Sequence, residues 1–470
     1  MKVSGKWMVV VAVLLGSFTM ILNNSMLNPA VPQLMNVFHS DAVATGWVIT
    51  IFMVTMGMTV PVTGYLGDRF GKKKLYIIGL AIFVLGSLLG SLSWNLSSLI
   101  IFRGLQGVGG GIMMPLSMAL IFEAFPRKER GLATGVWGIS AMMAPTIGPT
   151  FGGFLLETLD WTYLFLVNVP FGLLGLWFAF RYLPTTTANK QITFDKYGFL
   201  TITFGVGLIL YSLGRMSELA HLTNPVNLAL VAVGIILIYI FVQIERKEEQ
   251  PLLDLALFRV PAYTYSMVIA SVSSVGLFAG LFLIPLLIQQ VYGFGPIMTG
   301  LIFLPSALLT GVFMSVGGRI LDRKGATGII STGLIVVAIG TFPLGFLSLE
   351  TSIALIFFWM AIRGIGMGLS SMPSTTTGMN AIPSHLISRG SAMNNVVRQM
   401  SSALGIVFVS IYYEVRRGQL MASLGSLEEA SLQAINEGFM VIAVVTAISI
   451  PIAFLLEKAA SKDEKMTSST

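Results

Sequence analysis

Apolar residues occupy this chain in long blocks, each closed by a short polar or Gly/Pro-bearing break. A helix that crosses a bilayer needs about 20 mostly apolar residues. By that measure fourteen stretches predict spanning helices: 7–30, 45–66, 73–92, 98–121, 131–156, 163–183, 197–216, 225–244, 262–286, 297–317, 327–347, 352–374, 391–414 and 436–457. The first follows Lys2 and Lys6 as a signal peptide would. It is too long for one and runs into Asn28-Pro29 without a small-residue cleavage site, so it reads as a retained span. The polar segment 458–470 predicts a disordered tail.

Charge orients the pattern. With the N-terminus inside, 22 of the 28 Lys and Arg fall in inner loops or at inner helix ends, three outside (Arg215, Arg416, Arg417) and three within spans (Arg103, Arg363, Arg398). The positive-inside rule then places both termini in the cytoplasm of a multi-pass cell-membrane protein. Composition agrees: the chain is 55% apolar and 10% charged, against about 25% charged in a typical soluble domain. The net charge of +7 therefore marks membrane topology and not nucleic-acid binding. With no cysteine and three histidines, thiolate and histidine metal sites have little to build on. The glycine run Gly107–Gly111 lies inside an apolar span and is no phosphate loop. Nothing resembles an enzyme's catalytic constellation, and no cofactor is predicted.

The chain repeats itself. Gly64-Tyr65-Leu66-Gly67-Asp68-Arg69-Phe70-Gly71-Lys72-Lys73 follows the second span, and Gly318-Arg319-Ile320-Leu321-Asp322-Arg323-Lys324-Gly325 follows the tenth. Two spans after each, an arginine sits inside a helix, in Arg103-Gly104-Leu105-Gln106-Gly107 and in Arg363-Gly364-Ile365-Gly366. This predicts two six-helix bundles in parallel orientation, 1–183 and 255–457, flanking a linker with two extra helices, 184–254, and followed by the tail 458–470.

On these residues the sequence resembles the major facilitator superfamily, in particular its fourteen-span drug–proton antiporter branch and, within it, the lincomycin-resistance exporters. The Gly64–Lys74 loop is similar to the superfamily's G-x-L-(G/A)-D-R-x-G-(R/K)-(R/K) signature, and Arg103–Gly107 to the R-x-x-Q-G motif. Gly148-Pro149-Thr150-Phe151-Gly152-Gly153 matches the antiporter motif G-P-x-x-G-G, and Trp161 to Gly172 looks like the W-R-W-x-F-x-x-N-V-P-x-G stretch, with Thr162 for the arginine. The resemblance implies an all-α integral membrane protein of the major facilitator fold with fourteen spans. It implies a monomeric exporter of small amphipathic drugs by proton antiport and alternating access, in contact with membrane lipid and without nucleic acid. One departure is clear: where many members carry an acid in the first span, this chain reads Leu22-Asn23-Asn24-Ser25-Met26-Leu27-Asn28.

Physical chemistry assigns roles to these positions. Asp68 and Asp322, in tight turns at helix ends, suit a helix N-terminus on a neighbour, whose dipole favours anions. Arg69 and the adjoining lysines suit Glu123. The expectation is a latch between bundles, made in one state and broken in the other. Gly148, Pro149, Gly152 and Gly153 fit either close packing or a hinge and seal between bundles. Arg103 and Arg363 lie about 8 and 16 Å into their helices at 1.5 Å per residue. An arginine near the bilayer centre costs at least about 2.5–3.5 kcal/mol, so each predicts a cavity or a partner. The acids fall in loops or near helix ends, leaving no central proton carrier. The predicted cavity is apolar with polar points at Asn23, Asn24, Asn28, Gln106, Trp137, Met143, Gln289, Asn394 and Arg398, and some of the 26 methionines add adaptable surface. Buried arginines without a buried acid also suit an exporter of an endogenous anionic lipid or metabolite. A transport-dead sensor or scaffold is the third expectation.

Overall fold

The computed structural model describes residues 3–27, 30–40, 42–185, 195–215, 224–248 and 251–468. Each predicted stretch is a helix. In chain order they are α1 (Val3–Met26), α2 (Ala42–Phe70), α3 (Lys72–Ser91), α4 (Leu96–Ala124), α5 (Arg130–Thr158), α6 (Tyr163–Tyr182), α7 (Lys196–Arg215), α8 (Pro225–Glu245), α9 (Pro261–Leu286), α10 (Pro296–Lys324), α11 (Ile329–Thr341), α12 (Ile353–Asn380), α13 (Ile387–Leu424) and α14 (Leu427–Ser468). Among the described residues twelve are long and apolar enough to cross a membrane. A thirteenth, α5, qualifies as a pair bent by 41° between Pro145 and Ile147, and the fourteenth, Ile329–Gly345, is shorter. The polar punctuation supplies the caps. Asn95 accepts from Ser98 N at 2.8 Å while the Ser98 hydroxyl accepts from Asn95 N, which starts α4. Asn224 caps α8 ahead of Pro225.

Two features depart from the predicted pattern. A short amphipathic helix, Val31–Phe38, follows α1 and packs Leu34 and Phe38 against the Trp161–Phe165 segment. The tail predicted as disordered continues α14 as helix to Ser468. Its Glu, Lys and Ala residues are good helix formers, and the apolar helix ahead of them has already met the cost of nucleation.

The helices form two six-helix bundles, α1–α6 and α9–α14, with α7 and α8 beside the seam between them. The inserted pair interlocks through Gly205 and Gly234, where an added Cβ would lie 3.2 and 3.0 Å from the other glycine's carbonyl. α7 packs on α2, with Thr203 donating to Met58 O and Trp47 stacking on Tyr211. Most of α8 faces outward, as for a peripheral helix in lipid.

Candidate functional site

At the end of the molecule that carries Arg69, Lys72, Arg127 and Arg323, the bundles are joined by two related contacts, at the acids predicted to form the latches. Asp322 at the end of α10 accepts from the backbone N–H of Gly131 and of Leu132, both at 2.7 Å, at the start of α5. That is a carboxylate on a helix N-terminus. Asp68 at the end of α2 meets the start of α13 instead, ion-paired with Arg389 at 3.5 Å. The glycine four residues earlier permits each approach. A Cβ at Gly64 would lie 3.0 Å from Arg389 Cα, and Gly318 meets the Gly131 backbone. Arg130 adds a bond to Asn380 at 3.0 Å, and the Thr134 and Thr376 hydroxyls meet at 2.8 Å.

The other predicted latch partners fall within one bundle. Lys72 pairs with Glu123 at 2.5 Å, and Arg69 donates to the Tyr65 hydroxyl at 2.6 Å. The partner that Glu123 takes is thus Lys72, from the start of α3, and not Arg69.

The antiporter motif packs inside the first bundle. Gly148 meets Ser25, and a Cβ at Gly152 would lie 2.6 Å from Met26 O, so both let α5 close on α1. Pro149 is exposed and Gly153 faces open space. The small residues that seal one bundle to the other are Gly131, Gly135 and Gly138, nearer the basic end, against Gly318, Met314 and Met372.

Between the bundles, just inside the latches, lies a pocket lined by Met118, Trp137, Thr375, Met379, Ser391, Asn394, Asn395 and Arg398. Three predicted cavity residues, Trp137, Asn394 and Arg398, thus converge here. Trp137 Nε1 donates to Ser17 Oγ at 3.1 Å, and Arg398 reaches Ser274 Oγ at 3.4 Å. Asn23, Asn24 and Gln106 do not join them. They surround Arg103 inside the first bundle, where the guanidinium makes four hydrogen bonds: to Asn23 Oδ1 (2.7 Å), Gln106 Oε1 (2.8 Å), Asn24 Oδ1 (3.1 Å) and Val48 O (2.9 Å). The Phe52 ring lies 4.3 Å beneath it, and the residue is fully buried. Gln289 lies at the far end of the second bundle, exposed and bonded to Thr299. Met143 is half-buried on α5, and Asn28 lies outside the described residues.

Arg363 takes the place of Arg103 in the second bundle. Thr55 donates to Gly104 O and Thr310 to Gly364 O, each at 3.0 Å, so the two Arg-Gly pairs sit alike against α2 and α10. Arg363 faces the interior of its own bundle, donating from Nη2 to Gly276 O at 2.5 Å.

Sequence reasoning missed one pair of acids. Asp195 and Glu245, at the ends of α7 and α8 nearest the latches, are both buried, and each keeps one oxygen without a partner. Their other oxygens accept from Gly198 N (2.8 Å) and Leu252 N (3.2 Å). The signal was an acid closing an apolar run, at Ile244-Glu245, which reads as the polar end of a span until the return of residues 252–253 covers it.

Two parallel bundles with a seam and a pocket between them are the architecture of a membrane transporter. Residues 13–406 match the Major Facilitator Superfamily family model, and the chain belongs to that superfamily. It is 30% identical to the multidrug transporter protein MdtP of Bacillus subtilis over 89% of this chain and 77% of the relative. It is 27% identical to the lincomycin resistance protein LmrB of Listeria monocytogenes over 96% and 97%, and 29% identical to the riboflavin transporter RibZ of Clostridioides difficile over 87% and 88%. Among solved structures, the human organic anion transporter MFSD10 shares the fold with a TM-score of 0.68 at 15% identity, over 95% of this chain and 99% of that one.

Proposed function

We propose that this protein exports small amphipathic molecules across the cytoplasmic membrane in exchange for protons, with both termini and the latched end in the cytoplasm. The observation that carries the reading is the lining of the seam pocket, a space of about 10 Å³ in this closed state that widens into a substrate cavity only as the bundles part. Met118, Met379 and Trp137 offer adaptable apolar surface, while Asn394, Asn395 and Arg398 give a few fixed polar points. Similarity to a multidrug transporter over 89% of the chain and to a lincomycin resistance protein over 96% supports export of varied compounds. The proton acts at the latched end. A proton on Asp68 removes its attraction to Arg389 and favours release of the α2–α13 contact, so protonation and access change together.

Arg398 favours a second reading, an anionic metabolite as natural cargo, because the residues lining the pocket include a guanidinium and no carboxylate. Similarity to a riboflavin transporter agrees with it.

Reconstituted vesicles under separately imposed pH and voltage gradients test the coupling. Substrate flux driven by a pH gradient alone, with proton counterflow, is expected; flux indifferent to pH overturns antiport. A panel matched for lipophilicity but differing in charge tests the cargo. Preference for neutral and anionic compounds over dications is expected, and equal transport of dications overturns the role given to Arg398.

A further inference from the structure

We propose that Arg363 and Ser273 form a binding site for a single monovalent anion of halide size, enclosed within the second bundle. Arg363 is 3% exposed, and its Nε–H has no acceptor. The Ser273 hydroxyl is likewise buried without a partner. Both groups line one small cavity between α9, α11, α12 and α14, together with Val272, Leu334, Val337 and Ile442. No lining residue is acidic.

The chemistry of that wall selects the ligand. A buried guanidinium needs compensation, since the alternative is an unpaired charge in a low-dielectric interior. Neutral dipoles supply it for Arg103, but Arg363 has one carbonyl. The position of Gln106, three residues after the arginine, is Gly366 in the second bundle. Gly276 and Gly280 line the approach on α9, where a Cβ at Gly280 would lie 2.8 Å from Arg363 Nη1. In this state the cavity has room for about one water, so a one-atom anion asks for the least widening and a carboxylate or phosphate for more. Apolar walls with two donors favour a weakly hydrated anion, because few contacts replace the hydration shell. Bromide and chloride are therefore bound in preference to fluoride.

The test uses the purified full-length protein in nanodiscs, with thermal unfolding followed in sodium bromide, chloride, fluoride or gluconate at equal ionic strength. Bromide and chloride are expected to raise the midpoint by about 3 °C over gluconate, as for a ligand well above its Kd, with fluoride giving no shift. Arg363→Met is expected to abolish the difference. Ser273→Ala retains the charge and is expected to weaken the apparent bromide affinity by about tenfold or more, the loss of one hydrogen bond to a charged group. Anomalous diffraction from bromide-soaked crystals locates the ion independently of folding of the variants, with a peak expected beside Arg363 Nε. Halide dependence of the same size in Arg363→Met, no halide dependence in the unmodified protein, or density fitting water alone at that position overturns the proposal.

Discussion

Arg103 and Arg363 occupy matching places in two copies of one six-helix unit, yet they live in different chemistry. Around Arg103, Asn23, Asn24, Gln106 and the Val48 carbonyl accept hydrogen bonds, and Phe52 stacks below. Around Arg363 one carbonyl accepts, and glycine stands where the first bundle has Gln106. The first arginine is an internal tie between α1, α2 and α4. The second is a charge held on small residues beside a cavity. The same motif residue thus serves as structure in one half and as a candidate ligand site in the other. Neither lines the seam pocket, where Arg398 supplies the positive charge.

The latches repeat the lesson more mildly. Across the seam Asp322 holds two backbone N–H groups at 2.7 Å, while Asp68, which also feels Lys72 of its own bundle, meets the Arg389 guanidinium at 3.5 Å. Charge-assisted hydrogen bonds at the shorter distance are the stronger contact. Asp322 anchors, and Asp68 is the contact more readily released.

The largest expected effect separates these two latches. Asp322→Asn is expected to lower export at least tenfold, since an amide cannot accept both N–H groups through two oxygens. Asp68→Asn should lower it severalfold and leave the residual flux indifferent to the pH gradient, since the amide cannot take up the proton, with surface expression of both retained. Initial flux in vesicles decides, and a more severe defect in Asp68→Asn reverses the ranking.

Next comes stability. Arg103→Met leaves Asn23, Asn24 and Gln106 without their donor and is expected to cost about 3 kcal/mol. Arg363→Met, measured without halide, is expected to stay within about 1 kcal/mol, because it removes an undercompensated charge. Unfolding of both variants in one detergent system gives the comparison directly; equal losses would make the two sites alike.

A smaller effect concerns specificity. Arg398→Gln is expected to raise KM about tenfold for anionic substrates and less than twofold for neutral ones, consistent with the loss of a charge-assisted hydrogen bond. The smallest is Asn23→Asp. It places a carboxylate on Arg103 inside the first bundle, away from the seam, so cation preference is expected to stay unchanged and stability to move by about 1 kcal/mol or less. A gain of cation export in that variant would show that the Arg103 network opens to the pathway.

The fourteen apolar helices and the internal duplication were legible in the amino-acid pattern, whereas of the nine residues assigned to one cavity only Trp137, Asn394 and Arg398 line the seam pocket. Apolar length reports spans directly, because lipid leaves backbone groups no partner but their own helix. The motif arginines were legible as buried but not in the direction they face. A helix position fixes depth, whereas rotation about the helix axis is set by packing against neighbours. The same holds for Gly148 and Gly152, whose small size signals close approach without naming α1 as the partner. Asp195 and Glu245 looked like ordinary span ends, since the burial of Glu245 depends on the return of residues 252–253, which no local pattern predicts. Sequence alone determined that two similar bundles of apolar helices would form, with acids and glycines at their turns. Which carboxylate meets a helix N-terminus, which arginine is compensated and which faces the seam were decided by tertiary contacts, because each depends on groups brought together from distant parts of the chain.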